Sequence, residues 1–430
     1  MAKPQRTNKD VLHYEIIYSR ASMLNILKGK AMNAVEDSSV FQEFIGHCNQ
    51  CGKCTNVCPS LTSANMTLGD IAKTLNCAIT EAEGDSELSA LIVENHQLIQ
   101  SVRGCFLCRS CQKACVAKND VGNLIYSARA VFQNAGLIPR EAWSSVEVDR
   151  EWNIFSAYRA IYNIDFQELI CHHESGENHK DEPCEIAFFP GCTMAAYAPE
   201  LTREIFQTIE ELGGKTTFID GCCGSPLKSA GFFQRAETLC DQIALEIARS
   251  GASQVLCVCP GCMNDLVASF KRNNLAIEAK TLSAFLLERG FTSSRGIEEG
   301  TWCFSKSCQD REDAYLKETR ALLKASLNTP LLLNGCCGAG GAVSAFDFHQ
   351  HEQQIARKLS AVQEGAIVVS LCPTCAYTFA SYLRNHPQLV ANKHYAELLF
   401  ENQFDWDKVF DQLTGMWRGE YGPWLAEVFA

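Results

Sequence analysis

Between residues 183 and 400, short apolar runs alternate with longer amphipathic stretches, and the whole alternation occurs twice. EIAFFPG, KTTFID and SQVLCV have the length and the β-branched or aromatic content of strands. PELTREIFQTIEELG and FQRAETLCDQIALEIARSG space apolar residues by three and four and read as helices. The pattern returns with WCFSK, TPLLLNG and AIVVSLC as strands and HEQQIARKLSAVQEG as a helix. Such alternation predicts a parallel sheet under helical cover in each half. The expected core is therefore a duplicated, pseudo-two-fold α/β domain, 183–298 and 299–400. Upstream, periodicity predicts helices across 68–102 and over YSARAVFQNAG, with a helical lead-in at 1–40 carrying Leu24, Ile26 and Leu27. Residues 126–182 read as a helical linker ending in the polar run HHESGENHKDEP, which has nothing to anchor a core. Residues 401–430 form an aromatic tail with Trp406, Trp417 and Trp424, suited equally to local packing and to a partner surface.

Composition changes this picture at one point. The chain of 430 residues has 24 cysteines, far more than a large chain needs for stapling. No apolar run follows the basic N-terminus, and no stretch reaches the ~18–20 apolar residues of a membrane span. A cytoplasmic protein is expected, with peripheral attachment to a membrane complex left open. The formal charge of −12 speaks against a nucleic-acid partner.

Eighteen of the cysteines fall into four groups. CNQCGKCTNVCP places Cys48, Cys51, Cys54 and Cys58 at the C-x2-C-x2-C-x3-C-P spacing of bacterial ferredoxins. Cys105, Cys108, Cys111 and Cys115 repeat the spacing, with Val116 where the first quartet has proline. Residues 41–125 therefore read as a two-cluster ferredoxin-type domain. In that pattern the fourth cysteine crosses over. One cubane [4Fe–4S] cluster takes Cys48, Cys51, Cys54 and Cys115, and the other takes Cys105, Cys108, Cys111 and Cys58. Two-residue spacings also serve structural zinc, the competing chemistry here.

The remaining ten form two sets of five. Cys192, Cys222, Cys223, Cys259 and Cys262 lie in FFPGC, GCCG and CPGC. Cys308, Cys336, Cys337, Cys372 and Cys375 lie in SKSC, GCCG and CPTC. Both sets fall at the carboxyl ends of expected strands, where α/β sheets place their ligands. Vicinal cysteines point in different directions, which suits a cluster with extra vertices better than one tetrahedral ion.

Tandem C…CCG…CxxC motifs behind two ferredoxin quartets resemble the catalytic subunits of heterodisulfide reductases. They are also similar to the iron–sulfur subunits of glycolate oxidase and anaerobic glycerol-3-phosphate dehydrogenase. The resemblance implies a noncubane [4Fe–4S] cluster at each five-cysteine set, and a disulfide split by one-electron steps between them. It further implies flavoprotein or other redox subunits as partners. No cysteine of either set is missing, which favours a disulfide-reducing enzyme subunit. The rival is a pure relay between a flavoprotein dehydrogenase and a quinone or other carrier.

Among residues outside the motifs, Cys240 and Cys257 read as small buried hydrophobes, while Cys77, Cys171 and Cys184 have no assigned role. Cys303 lies five residues before Cys308. His349 or His351 could donate a proton to a leaving thiolate. Lys228 and Lys306 could attract an anion, against the plainer reading of solvated lysines. GCCGAGGA lacks the lysine and hydroxyl of a phosphate loop.

Overall fold

The computed structural model describes residues 38–171, 183–293, 302–323, 331–386 and 391–430. The lead-in with Leu24, Ile26 and Leu27 and most of the polar run before Cys184 lie outside these residues. Each half of the duplicated region forms a four-stranded parallel sheet. The first contains β1 (Ile186–Phe189), β2 (Thr216–Phe218), β3 (Gln254–Cys257) and β4 (Glu278–Thr281), in the order β2-β1-β3-β4. The second repeats it with β5 (Trp302–Ser305), β6 (Leu331–Leu333), β7 (Ile367–Ser370) and β8 (Ala391–His394), in the order β6-β5-β7-β8. Ile186 pairs with Thr216 and Gln254, and Trp302 with Ile367, so the equivalent strands keep equivalent registers.

The strand period of two sorts side chains between cores. Ile186, Phe188, Leu256, Trp302, Phe304 and Val369 face one core shared by both halves. Their neighbours Ala187, Phe189, Val255 and Cys257 face a core private to the first half, and Cys303 and Val368 one private to the second. The sheets are therefore packed around a common interior. The expected helices appear at Pro199–Gly213, Phe233–Arg249 and Phe348–Leu359. The edge strands β4 (EAKT) and β8 (ANKH) escape a hydrophobicity reading because they are mostly polar; only Thr281 and His394 are buried. Polar edges discourage further strand pairing.

The N-terminal region is helical. Leu68–Glu81, Asp85–Val93 and His96–Arg103 fill the space between the two quartets around a core including Phe41, Ile71, Leu75 and Phe132. Thr67 starts the first of these helices with a reciprocal cap: Asp70 N–H donates to Thr67 Oγ1 at 3.1 Å, and Thr67 N–H donates to Asp70 at 2.8 Å. Residues 126–171 are tied to the first half. Arg159 makes a bidentate pair with Asp220 at 2.6 and 2.9 Å, and Arg235 pairs with Asp149 at 2.7 Å. At the C-terminus, Trp406–Arg418 and Gly422–Val428 are helices whose Met416 and Leu425 are fully buried in the shared core. Trp424 meets Trp152 edge-on and Trp406 stacks on Phe404, whereas Trp417 is exposed. No helix of the described residues is long and apolar enough to cross a membrane.

Candidate functional site

The two quartets share an unusual backbone. Gln50 and Leu107, third in their motifs, both have positive φ, as do Gly52 and Arg109 two residues later. Non-glycine residues rarely adopt that region, so its recurrence at matching positions reflects a shared loop. In the second loop the backbone N–H groups of Leu107 and Ser110 reach the Cys105 and Cys108 thiols, the kind of concavity that favours anionic clusters. After Cys58, Pro59 opens the helix Pro59–Ala64. After Cys115, where Val116 replaces proline, the chain turns through Lys118 at positive φ before the helix Val121–Asn134.

Cys51 is exposed and Cys48, Cys54 and Cys115 are half-buried. Cys58 lies within electrostatic reach of Cys105, Cys108 and Cys111, on the far side of the same loop pair. Burial pushes the Cys105 thiol up to about 12, opposed by the Arg129 guanidinium.

All ten remaining motif cysteines follow the carboxyl ends of β1, β2, β3, β5, β6 and β7. Cys259 and Cys372 leave their strands in extended conformation. Pro260 and Pro373 then start helices that carry Cys262 and Cys375 in the first turn. These helix N-termini favour negative charge on the sulfurs. Gly191, at φ 80°, lies against the Cys262 sulfur, which a side chain there would crowd.

The sulfurs of each set meet in series. In the first half Cys192 touches Cys222 at 3.7 Å, and contacts run on through Cys223 and Cys262 to Cys259. In the second, Cys336 touches Cys337, Cys337 touches Cys375 at 3.0 Å, and Cys375 touches Cys372. Cys308 stands beside them, within the field of Cys337 and Cys372. Among the described residues no three His, Cys, Asp or Glu side chains converge on a single metal ion.

Two further contacts join the groups. Cys259 of the first half meets Cys372 of the second, an interaction that holds the Cys372 thiol well below the ordinary range. Cys336 meets Cys108 of the second quartet and draws its thiol down to about 6. A continuous line of sulfur contacts thus runs from the second quartet through the second half to the first. The glycines of GCCGAGGA have their reason here. Gly340 and Gly341 lie against the backbone carbonyls of Phe106 and Cys105, leaving no room for a β-carbon. The motif is a docking surface for the second quartet.

The flanking charges are largely internal. Lys228 pairs with Asp265 at 2.5 Å, and burial lifts the Asp265 carboxyl to about 7. Lys306 pairs with Asp313. His351 bonds the Gly338 carbonyl at 3.1 Å, beside the second vicinal pair, whereas His349 is exposed and bonded to Gln353. Cys240, Cys257 and Cys303 are buried in the private cores.

Sequence reasoning missed four groups. Arg129 is fully buried and donates to the carbonyls of Ser229, Val102 and Cys105. Lys358 donates to the Gly335 and Lys306 carbonyls at 2.9 and 3.1 Å. Tyr315 and Tyr395 cover the strand ends before Cys259, donating to the carbonyls of Cys257 and Val258. Only the helical phase of Arg129, on the apolar side of its helix, hints at its role.

Comparison with known proteins bears on the same residues. The model of the CCG cysteine-rich domain matches residues 186–267 and 303–380, one copy per sheet. The B chain of a fumarate reductase (CoM/CoB) from Methanothermobacter marburgensis is 23% identical over 345 residues, covering 76% of this chain and 66% of that protein. The chain thus spans just under two thirds of the length of that relative. Uncharacterized iron–sulfur proteins of Methanococcus maripaludis and Methanocaldococcus jannaschii are 22% and 21% identical, covering 79% and 78% of this chain and 69% and 68% of their own lengths.

Proposed function

From the premise that this is a tandem CCG-domain iron–sulfur protein, we propose that it is an oxidoreductase subunit that reduces a disulfide. In this reading Cys48, Cys51, Cys54 and Cys115 hold one cubane cluster, and Cys58, Cys105, Cys108 and Cys111 a second. The two five-cysteine sets hold noncubane clusters. The donors fit: they are soft thiolates, preferred by iron–sulfur clusters, on loops and helix ends that stabilise negative charge. Such clusters supply single electrons, two of which, with two protons, convert a disulfide into two thiols.

The observation that carries the proposal is the line of contacts from Cys108 to Cys336 and from Cys372 to Cys259. A simple relay needs no second five-cysteine set abutting the first. A disulfide split one electron at a time needs two sulfur-binding centres facing each other, and the Cys259–Cys372 seam is where two such centres adjoin. Buried Tyr315 and Tyr395 pack beside this seam, and His351 is a proton donor within the second half. The relative from Methanothermobacter marburgensis, itself one component of a fumarate reductase (CoM/CoB), supports a multi-subunit assembly, with electrons arriving from a partner at the exposed Cys51 end.

Cys259→Ala and Cys372→Ala should each abolish disulfide-dependent turnover while the two ferredoxin-type clusters remain reducible by electron paramagnetic resonance. Full disulfide turnover in either variant would refute the reading.

A further inference from the structure

The carboxyl ends of the two sheets differ in one row of residues. In the first half Phe189, Cys257 and Thr281 are register partners across β1, β3 and β4. Phe189 and Cys257 are buried in the core that contains Cys223 and Cys262, so this row lies under the first five-cysteine set. Thr281 uses its hydroxyl locally, donating to Glu318 and accepting from the Ala284 N–H at 2.9 Å. The corresponding row of the second half is Ser305, Ser370 and His394 on β5, β7 and β8. All three are fully buried. Ser370 donates to Asn392 Oδ1 at 3.2 Å, but Ser305 Oγ and His394 Nε2 have no partner among the described residues. His394 Nδ1 accepts from the Ala396 N–H at 3.4 Å, which leaves the ring proton on Nε2. Both unpartnered atoms therefore carry a proton to donate, and a buried donor without an acceptor is costly.

The positions of both donors point to the second set. Register partners share a face, so Ser305 lies on the side of Cys303 and Leu333, facing the core that contains Cys337, Cys372 and Cys375. On β8 that face packs on the helix Pro373–Arg384, where Asn392 Nδ2 donates to the Ala376 carbonyl at 2.8 Å. As a crossover between parallel strands, the helix runs antiparallel to β8. Two residues along the strand, ~6.6 Å, therefore match four residues back along the helix, ~6 Å. That step takes Asn392 to His394 and Ala376 to Cys372. We propose that the His394 Nε2–H and the Ser305 hydroxyl donate hydrogen bonds to sulfurs of a cluster held by the second set, making this centre more easily reduced than the first. A donor to a cluster sulfur stabilises the reduced, more negative state. An electron arriving past Cys108 and Cys336 then rests on the second centre, beside the Cys259–Cys372 seam. This inequality rests on the reading of both five-cysteine sets as cluster sites.

The test is an anaerobic potentiometric titration of the cluster-loaded full chain, followed by electron paramagnetic resonance. The second centre is identified as the signal missing from Cys372→Ala. Ser305→Ala and His394→Leu should each lower the midpoint of that signal, and the double variant most, while the first centre keeps its own. In the unsubstituted protein, electron–nuclear double resonance should show an exchangeable proton coupled to the second centre, lost in deuterium oxide and weakened in either variant. Ser305→Ala removes a single oxygen and tests the bond even where replacing the ring disturbs folding. An unchanged midpoint in either folded variant, or an unsubstituted second centre with the lower midpoint of the two, would overturn the proposal and leave the cluster sites standing. Iron and acid-labile sulfide too low for a cluster at each cysteine group would instead sink the reading of the sites, and this inequality with it.

Discussion

Replacing Arg129 by methionine tests whether the helical domain and the α/β halves are held by one buried cation. The guanidinium donates to Ser229 O at 2.6 Å, Cys105 O at 2.8 Å and Val102 O at 3.0 Å, with a weaker contact to Arg103 O at 3.4 Å. It is completely buried, and its Nε has no partner. A bond from a charged donor contributes about 1.5–3 kcal/mol net, so three amount to about 4.5–9 kcal/mol. Desolvation of the cation opposes this by several kcal/mol. Methionine relieves that cost but strands the Ser229 and Cys105 carbonyls, Val102 O keeping the N–H groups of Gly104 and Cys105, so Arg129→Met should destabilise the protein by about 3–5 kcal/mol. Lysine keeps the charge but cannot reach all three acceptors, and about half that loss is expected. The assay is anaerobic urea unfolding followed by tryptophan fluorescence together with visible cluster absorbance. Trp143 reports on this junction directly, since it lies against Phe232 with ring centroids 4.7 Å apart. The two signals should shift together, because Cys105 O and Ser229 O belong to opposite sides of the junction. A loss below about 1 kcal/mol for Arg129→Met would refute the argument.

Gly340→Ala places a methyl group against the Phe106 carbonyl and forces the second vicinal-cysteine loop off the second quartet. A loss of about 1–3 kcal/mol is expected in the same unfolding assay, and a neutral result would mean that the contact is dispensable. Glu246 gives a pH dependence: burial, and then the charge of Asp220, raise its carboxyl to about 8. Its folded-state value exceeds its unfolded one, so the fold binds the extra proton and stability falls as pH rises from about 4.5 towards 8. For a half-buried group the loss is about 1–2 kcal/mol. Glu246→Gln should flatten that part of the stability–pH curve, and an unchanged slope would remove Glu246 as its source.

Which elements could be read in advance follows from how local their cause is. The central strands β1, β3, β5 and β7 were legible because each places apolar side chains on both faces of a covered sheet, leaving an unbroken apolar run. β4 and β8 were not, because EAKT and ANKH carry no apolar run and are strands only through their pairing, Gln254 with Glu278 and Ile367 with Ala391. The aromatic tail was ambiguous for a similar reason. Its amphipathic pattern fits any apolar surface, and only the shared core shows that Met416, Trp424 and Leu425 face inward while Trp417 does not.

For the candidate site the division is sharper. Spacing alone identified eighteen cysteines as four groups, since a ligand loop is a matter of two or three intervening residues and of the turn after a strand. Spacing carried no information about how the groups lie relative to one another. Cys108 and Cys336 are 228 residues apart in the chain, and Cys259 and Cys372 are 113 apart. Their meeting depends on Gly340 and Gly341 admitting a close approach, on Arg129 bridging two domains, and on two sheets burying a common core. Ligand loops are local and survive in the amino-acid order; the line of sulfurs is a property of packing, and packing decided it.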